Sequence, residues 1–175
     1  MVKNTFTEKK CSIARTLDVI GDWWSLLIVR DLLLARGTAR FEDLREGLGI
    51  SRNVLTERLR KLTVNEVIRK VLVQEGGRRQ EYQLTEKGWD LLPLVVAMAQ
   101  WGDRWREDPE NIALLIMDRE TRQPVVPVKV RSADGRDLEI TDLYVKILRE
   151  SEFLPGIVRM RVNELAANGQ GELVG

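Results

Sequence analysis

The sequence predicts an α+β protein in which four helices and a β-hairpin precede a long fifth helix and a small, mainly β extension. Three observations support this class. Apolar residues recur at helical spacing over the first third of the chain. The spacing changes to two in the stretch VIRKVLV, and strand-like patterns return after Asp108-Pro109. We therefore expect two domains, residues 1–107 and residues 108–175, the second ending in a flexible tail.

The first two helices are predicted from their end signals. Serine and aspartate side chains accept hydrogen bonds from the free N–H groups at a helix start, and glycine is favoured just past a helix end. These signals make Ser12 the cap of one helix, which runs through Ile20 and stops at Gly21. A second and more apolar helix follows, with Asp22 as its cap, and continues to about Ala35.

Two further helices are predicted next, the first of them short. The stretch RFEDLREGLGI forms a third helix that directs Phe41, Leu44 and Leu48 inward. Two glycines then turn the chain toward Ser51, which can cap a fourth helix running to about Leu62.

The fourth helix has one apolar and one polar face. At 100° per residue, three of its leucines lie on one side of the helix, two of them within about 40° of the first. These leucines are Leu55, Leu59 and Leu62. The polar residues Asn53, Thr56 and Arg60 lie roughly 100–160° from Leu55 and are expected to face solvent.

A hairpin and a long helix complete the predicted first domain. The stretches VIRKVLV and EYQL read as paired strands, and the glycine-led loop between them carries Arg78 and Arg79. Thr85 can cap a helix that continues to about Trp105, with a bend at Pro93. The apolar positions of this helix exceed what one small core can cover, so we expect a partner subunit to cover them.

Composition excludes several classes of function. With one cysteine and no histidine, the chain cannot form an internal disulfide, the usual zinc sites or a histidine-activated nucleophile. We therefore expect neither an enzyme nor a bound metal or cofactor. The apolar runs are too short to cross a membrane, and the polar start does not resemble a secretory signal, which together indicate a cytoplasmic protein.

The order of these elements predicts a winged helix-turn-helix domain, because three helices are followed by an outward-facing helix and a basic hairpin. Between Ser51 and Gln80 the sequence holds eight basic and three acidic residues, a local charge of +5 against +1 for the whole chain. A helix bearing arginine and asparagine fits the DNA major groove, although such a face is often only solvated surface. The expected DNA-contacting residues are Arg40, Ser51, Arg52, Asn53, Thr56, Arg60, Lys61, Arg78 and Arg79.

Three stretches resemble the HxlR-type transcriptional regulators, which are relatives of the MarR group. They are CSIARTLDVIGDWWSLLIVRDLL, RFEDLREGLGISRNVLTERLRKL and QEYQLTEKGWDLLPLVVAMAQWG, and they cover residues 11 to about 105. The resemblance implies a homodimer that binds an inverted-repeat operator in double-stranded DNA, with the helix Ser51–Leu62 in each major groove and the terminal helices at the interface. The implied interface residues are Leu94, Met98, Trp101 and Trp105.

The chain departs from the family pattern at Ser12, where proline is usual, and at Glu66, where glycine is usual. The alternative to DNA binding is a winged-helix module that has kept the fold and binds protein partners instead.

Two features suggest regulation, and each has a simpler interpretation. Cys11 stands where several family members carry a sensing cysteine, but it can equally be an unreactive small hydrophobic residue. Trp23 or Trp24 could line a pocket for a small-molecule effector, but tryptophans at helical spacing more often belong to a core.

The extension resembles one found in part of the same family, in which two cysteine-glycine turns bracket a hairpin. This chain has Thr121, Arg131 and Asp134 at the corresponding positions, so we expect no metal there. Dimer bracing and effector binding are both open as roles of the extension.

Overall fold

The computed structural model describes residues 11–73, 80–105, 112 and 114–143. The described chain divides into a compact unit, Val19–Val128, and a second unit formed by residues 11–18 and 129–143. The boundary predicted between residues 107 and 108 stays a prediction. In chain order the elements are α1 (Ser12–Ile20), α2 (Trp23–Leu34), β1 (Thr38–Arg40), α3 (Phe41–Leu48), α4 (Arg52–Val64), β2 (Ile68–Leu72), β3 (Gln80–Leu84), α5 (Glu86–Trp89) and α6 (Leu92–Arg104).

The predicted caps of α2 and α4 are confirmed. The Asp22 carboxylate accepts a hydrogen bond from the backbone N–H of Ser25 at 2.9 Å. The Ser51 hydroxyl accepts one from the N–H of Val54 at 3.4 Å. Each bond satisfies an N–H group that has no partner within its own helix, which explains why these helices begin where the sequence places them.

The core of the Val19–Val128 unit lies between α2, α3, α4 and the sheet. The three leucines predicted to face inward from α4 are at most 1% exposed. Burying each leucine side chain contributes about 1.5–3 kcal/mol, so this face holds α4 firmly against the core. The other fully or almost fully buried apolar residues are Ile20, Ile28, Val29, Leu32, Leu44, Ile50, Val67, Ile68 and Leu84.

The predicted hairpin is confirmed, and a third strand joins it. β2 and β3 pair antiparallel, with Ile68 opposite Leu84. β1, which was not predicted, pairs antiparallel with the other edge of β3 and gives the strand order β1-β3-β2. Gly37 precedes β1 at φ 90°, a left-handed conformation that favours glycine, and its carbonyl accepts the N–H of Leu84 at 2.7 Å.

The prediction of one long, bent helix after Thr85 was wrong. Thr85 does cap a helix, since its hydroxyl accepts the N–H of Gly88 at 3.2 Å. This helix, α5, ends at Trp89, and α6 begins at Leu92. Pro93 therefore lies in the first turn of α6, where proline loses no intrahelical hydrogen bond, rather than inside a continuous helix.

The departure at Glu66 has a structural consequence. Glu66 is exposed and has φ 58°, a left-handed conformation. It ends α4 with two backbone bonds, from its own N–H to Thr63 O and from the N–H of Val67 to Leu62 O, both 3.0 Å. Glycine is the residue best suited to such a helix end, so Glu66 holds a strained position.

In the described part of the extension, β structure is limited to two isolated antiparallel bridges, Met117 with Pro124 and Arg131 with Asp137. The turn predicted at Asp134-Gly135 is present, with Gly135 at φ 87°. A 3-10 turn follows at Ile140–Asp142. The strand predicted over residues 144–148 and the glycine-rich end lie outside the described residues. None of the helices described here has the length and hydropathy that a membrane crossing requires.

Candidate nucleic-acid interface

The polar face of α4 lies on the protein surface. Asn53, Thr56 and Arg60 are all exposed, as the helical periodicity predicted. The leucines on the opposite side fix this orientation, because a rotation of the helix would bring them into water. Within the described residues, Arg60 has no ion pair, so its guanidinium is available to a ligand. This face therefore presents an amide, a hydroxyl and a guanidinium side by side.

Arg52, at the start of α4, is held by α3. Its guanidinium forms an ion pair with Glu42 and lies 5.0 Å from the centre of the Phe41 ring. Glu42 also accepts a hydrogen bond from Arg45 at 2.7 Å, and this bond is the main cause that lowers the pKa of the Glu42 carboxyl. Arg52 is still 65% exposed, so the contacts orient its side chain without covering it.

Two other basic side chains of α4 face α2 instead of solvent. Arg58 Nε lies 3.2 Å from Asp22 Oδ1, and Lys61 Nζ lies 3.4 Å from Asp22 Oδ2. All three side chains are only 20–22% exposed. Nothing in the sequence indicated the pairing of Lys61 with Asp22. Lys61 is among the expected DNA-contacting residues, and that role stays a prediction.

Two strands of the sheet carry further basic residues. Arg40, at the end of β1, is exposed and forms an ion pair with Glu81 of β3 at 3.3 Å. On β2, Arg69 donates two hydrogen bonds to Gln83, at 2.8 and 2.6 Å. The loop arginines Arg78 and Arg79, predicted at the hairpin tip, lie outside the described residues.

The predicted interface residues of α6 form an exposed apolar face. Leu94 and Met98 are 40% and 48% exposed, and Trp101 and Trp105 are 68% and 66% exposed. A shallow apolar depression on this helix is lined by Ala97, Met98, Trp101 and Gly102. Exposed tryptophans in such a row are unusual for a surface that stays in water.

The regulatory residues proposed from the sequence occupy different environments. Trp24 packs against the buried core, whereas Trp23 is 77% exposed. Cys11 is partly buried, and its carbonyl accepts the N–H of Arg15 at the start of α1. The effector pocket and the sensing role of Cys11 stay predictions.

The carboxylates of the extension serve its turns. Asp118 accepts the backbone N–H groups of Glu120 and Thr121 at 2.7 and 2.9 Å, and these bonds lower the pKa of its carboxyl. Asp137 pairs with Lys129 and Arg131. In the part of the chain that the structure describes, no group of three or more histidine, cysteine, aspartate or glutamate side chains is arranged to hold a metal ion.

Comparisons with known sequences point to one family. The family model described as HxlR-like helix-turn-helix matches residues 19–110. The HTH-type transcriptional regulator Rv3095 of Mycobacterium tuberculosis is 39% identical over 100 residues, which cover 57% of this chain and 62% of the relative. The chain thus spans about three-fifths of the length of the curated relatives it matches first. YvaP of Bacillus subtilis, an HTH-type transcriptional regulator, is 34% identical over 92 residues, covering 52% of this chain and 83% of its own.

Solved structures agree with the fold. PA1607, described as a candidate transcription factor, is 40% identical with a TM-score of 0.74, and the match covers 81% of this chain and 97% of PA1607. The family match ends at residue 110, and 81% of the chain is more residues than lie before that point. The similarity to PA1607 therefore includes part of the extension. HypR in its reduced form, described as a redox regulator, is 31% identical with a TM-score of 0.51, covering 57% of this chain and 98% of HypR.

Proposed function

The chain belongs to the HxlR-like helix-turn-helix family, and on that basis we propose that it is a homodimeric transcriptional regulator that binds an inverted repeat in double-stranded DNA. Each subunit places α4 in a major groove. A two-fold symmetric dimer presents two identical α4 helices, and two equivalent half-sites in opposite orientation match that symmetry.

The exposed face of Asn53, Thr56 and Arg60 on a core-anchored helix is the observation that carries this proposal. In the major groove, an asparagine amide can pair with adenine and an arginine guanidinium can pair with guanine at two positions each. The Thr56 hydroxyl donates to the backbone carbonyl of Arg52 at 2.8 Å, so toward DNA its oxygen would serve as an acceptor. These three residues supply sequence discrimination, because their donors and acceptors match the edges of bases.

Surrounding basic residues supply affinity. Arg52 is oriented by Glu42 and Phe41 but remains 65% exposed, which suits a contact to the phosphate backbone at the start of the helix. Arg40 is exposed at the junction of β1 and α3 and is a second candidate for a phosphate contact. Arg78 and Arg79 would add phosphate contacts from the hairpin loop. Binding should therefore weaken steeply as salt concentration rises.

The apolar face of α6 is the proposed dimer interface. Trp101 and Trp105 are about two-thirds exposed in the single chain, and a second copy that covered them would remove a large apolar area from water. Trp101→Glu should place a charge in the interface and shift the protein from dimer to monomer, which analytical ultracentrifugation measures directly. A dimer of unchanged stability would place the interface elsewhere.

The DNA-contact roles can be tested by anisotropy titration of the full chain on two duplexes. One duplex is selected from a random library by the wild-type protein, and the other is an unselected duplex of the same length. Asn53→Ala and Arg60→Ala should each weaken binding to the selected duplex by about 1–3 kcal/mol and change binding to the unselected duplex much less. Arg119→Ala removes an exposed arginine of the extension and is the matched control.

Two outcomes would contradict the proposal. Equal losses on the two duplexes would remove Asn53 and Arg60 from base recognition. A wild-type protein that showed no salt-sensitive binding to either duplex would favour the alternative function, a winged-helix module that binds protein partners.

A further inference from the structure

Asp22 connects the start of α2 to the side of α4. Its carboxylate accepts the backbone N–H of Ser25 at 2.9 Å and the Ser25 hydroxyl at 2.7 Å, and Ser25 is fully buried. The same carboxylate pairs with Arg58 at 3.2 Å and with Lys61 at 3.4 Å. One side chain, fixed to α2 by two hydrogen bonds, therefore holds two points on α4.

Arg58 depends on this carboxylate. Its Nε is buried and makes no hydrogen bond within the described residues, and the ion pair with Asp22 compensates its charge. Glu57 is a second acidic neighbour, 3.6 Å from another nitrogen of Arg58, but it lies on α4 itself and cannot connect the two helices. A buried charge without a partner is costly, so the structure favours the helix orientation that keeps Asp22 within reach.

The two contacts act together with the buried leucines in setting the rotation of α4. Arg58 and Lys61 are three residues apart, so they lie on one flank of the helix, away from the face that carries Asn53 and Thr56. A rotation of about 20° would move a surface side chain by roughly 2 Å, given a helix about 5–6 Å in radius with its side chains. Hydrogen bonds to base edges do not tolerate such a displacement.

We propose that Asp22 is a positioning residue for DNA recognition, setting the rotation of α4 through Arg58 and Lys61 and keeping both cations away from the phosphate backbone. Asp22 does not touch DNA. It raises specificity in two ways. It aligns the face of Asn53, Thr56 and Arg60 with the base edges, and it keeps two positive charges from contacting phosphates, where they would strengthen binding to any sequence. This inference rests on the proposed DNA-binding function.

Asp22→Asn is the informative variant. Asparagine is as good a helix cap as aspartate and can keep the bond from the N–H of Ser25, but it lacks the charge that holds Arg58 and Lys61. The full-chain variant is titrated on the selected and unselected duplexes described above. The ratio of the two affinities should fall about tenfold, the equivalent of one lost base contact, with binding to the unselected duplex equal to or tighter than that of the wild type. A purely structural loss would lower the folded fraction and weaken both affinities equally, leaving the ratio unchanged.

Asp31→Asn is the matched control. Asp31 also lies on α2 and is 23% exposed, but its ion pair is with Arg30 on the same helix. The affinity ratio of this variant should equal that of the wild type. An equal fall in both aspartate variants would assign the effect to α2 in general and overturn the proposal.

Lys61→Met keeps the proposal testable if Asp22→Asn does not fold, because it breaks one of the two contacts from the α4 side. The ratio of the two affinities should also fall in Lys61→Met. Where Asp22→Asn does fold, the double variant Asp22→Asn with Lys61→Met should show no further loss beyond Asp22→Asn alone. A ratio within twofold of the wild type in the folded variants would overturn the positioning role. If the wild type binds the two duplexes equally well, the proposed function itself fails. If the wild type prefers the selected duplex and the variants prefer it to the same degree, only the positioning role of Asp22 fails.

Discussion

Replacing Glu66 with glycine should stabilise the protein. Glu66 is exposed and ends α4 at φ 58°, so its side chain contributes no buried contact while its Cβ makes this conformation unfavourable. The two backbone bonds that close the helix end, both 3.0 Å, do not involve the side chain and are kept in the variant.

The size of the effect follows from two opposing contributions. Relief of the left-handed conformation is worth about 1–2 kcal/mol for a residue with a Cβ. The added conformational freedom of glycine in the unfolded chain lowers the free energy of unfolding by roughly 0.5–1 kcal/mol. The expected net gain in the free energy of unfolding is therefore about 0.5–1 kcal/mol, or a rise of a few degrees in Tm for a chain of 175 residues.

Urea unfolding followed by circular dichroism measures this gain. Glu66→Ala is the matched control, because it removes the carboxylate but keeps the strained backbone. It should be no more stable than the wild type. A glycine variant no more stable than the alanine variant would refute the argument from backbone strain.

Three further outcomes are expected. Gly88→Ala should lower the free energy of unfolding by more than 1 kcal/mol in the same assay, because a Cβ there would lie 2.3 Å from the carbonyl oxygen of Val67 and would force the backbone to move; unchanged stability would mean that α5 shifts freely. Burial opposes ionisation of Asp22, but the bonds from Ser25 and the charges of Arg58 and Lys61 together lower the pKa of its carboxyl. The ionised carboxylate therefore adds stability at neutral pH that disappears as the pH falls below about 4, so the stability difference between wild type and Asp22→Asn should shrink between pH 6 and pH 2, and a constant difference would exclude the carboxylate as its source. If Cys11 is a redox sensor, diamide should produce a crosslinked dimer or loss of DNA binding in the wild type but not in Cys11→Ser, whereas identical behaviour of the two proteins would support the unreactive interpretation.

Local signals in the sequence were enough to predict most of the helices. The caps at Asp22 and Ser51, the inward leucines of α4 and the hairpin strands all depend on residues within a few positions of one another. β1 was missed because its three residues become a strand only through pairing with β3, more than 40 positions later. The break between α5 and α6 was missed because Pro93 is compatible both with a bent helix and with a new helix start.

The distinction between local signals and contacts between distant residues also applies to the candidate interface. The outward orientation of Asn53, Thr56 and Arg60 follows from helical periodicity alone. The pairing of Lys61 with Asp22 joins residues 39 positions apart, and charge patterning along the chain gives no indication of it. The sequence therefore predicts the exposed face of α4 but not the ion pair of Lys61 with Asp22, and the DNA contacts of these residues stay predictions.

The two-residue joint between α5 and α6 has a consequence for the DNA that the protein would bind. In a dimer formed through α6, the angle at Asp90 and Leu91 sets how far apart the two α4 helices are held. That separation determines the number of base pairs between half-site centres, which must match a turn of the double helix. Changes confined to this joint would redirect a regulator to operators of different spacing while leaving the bases read within each half-site the same.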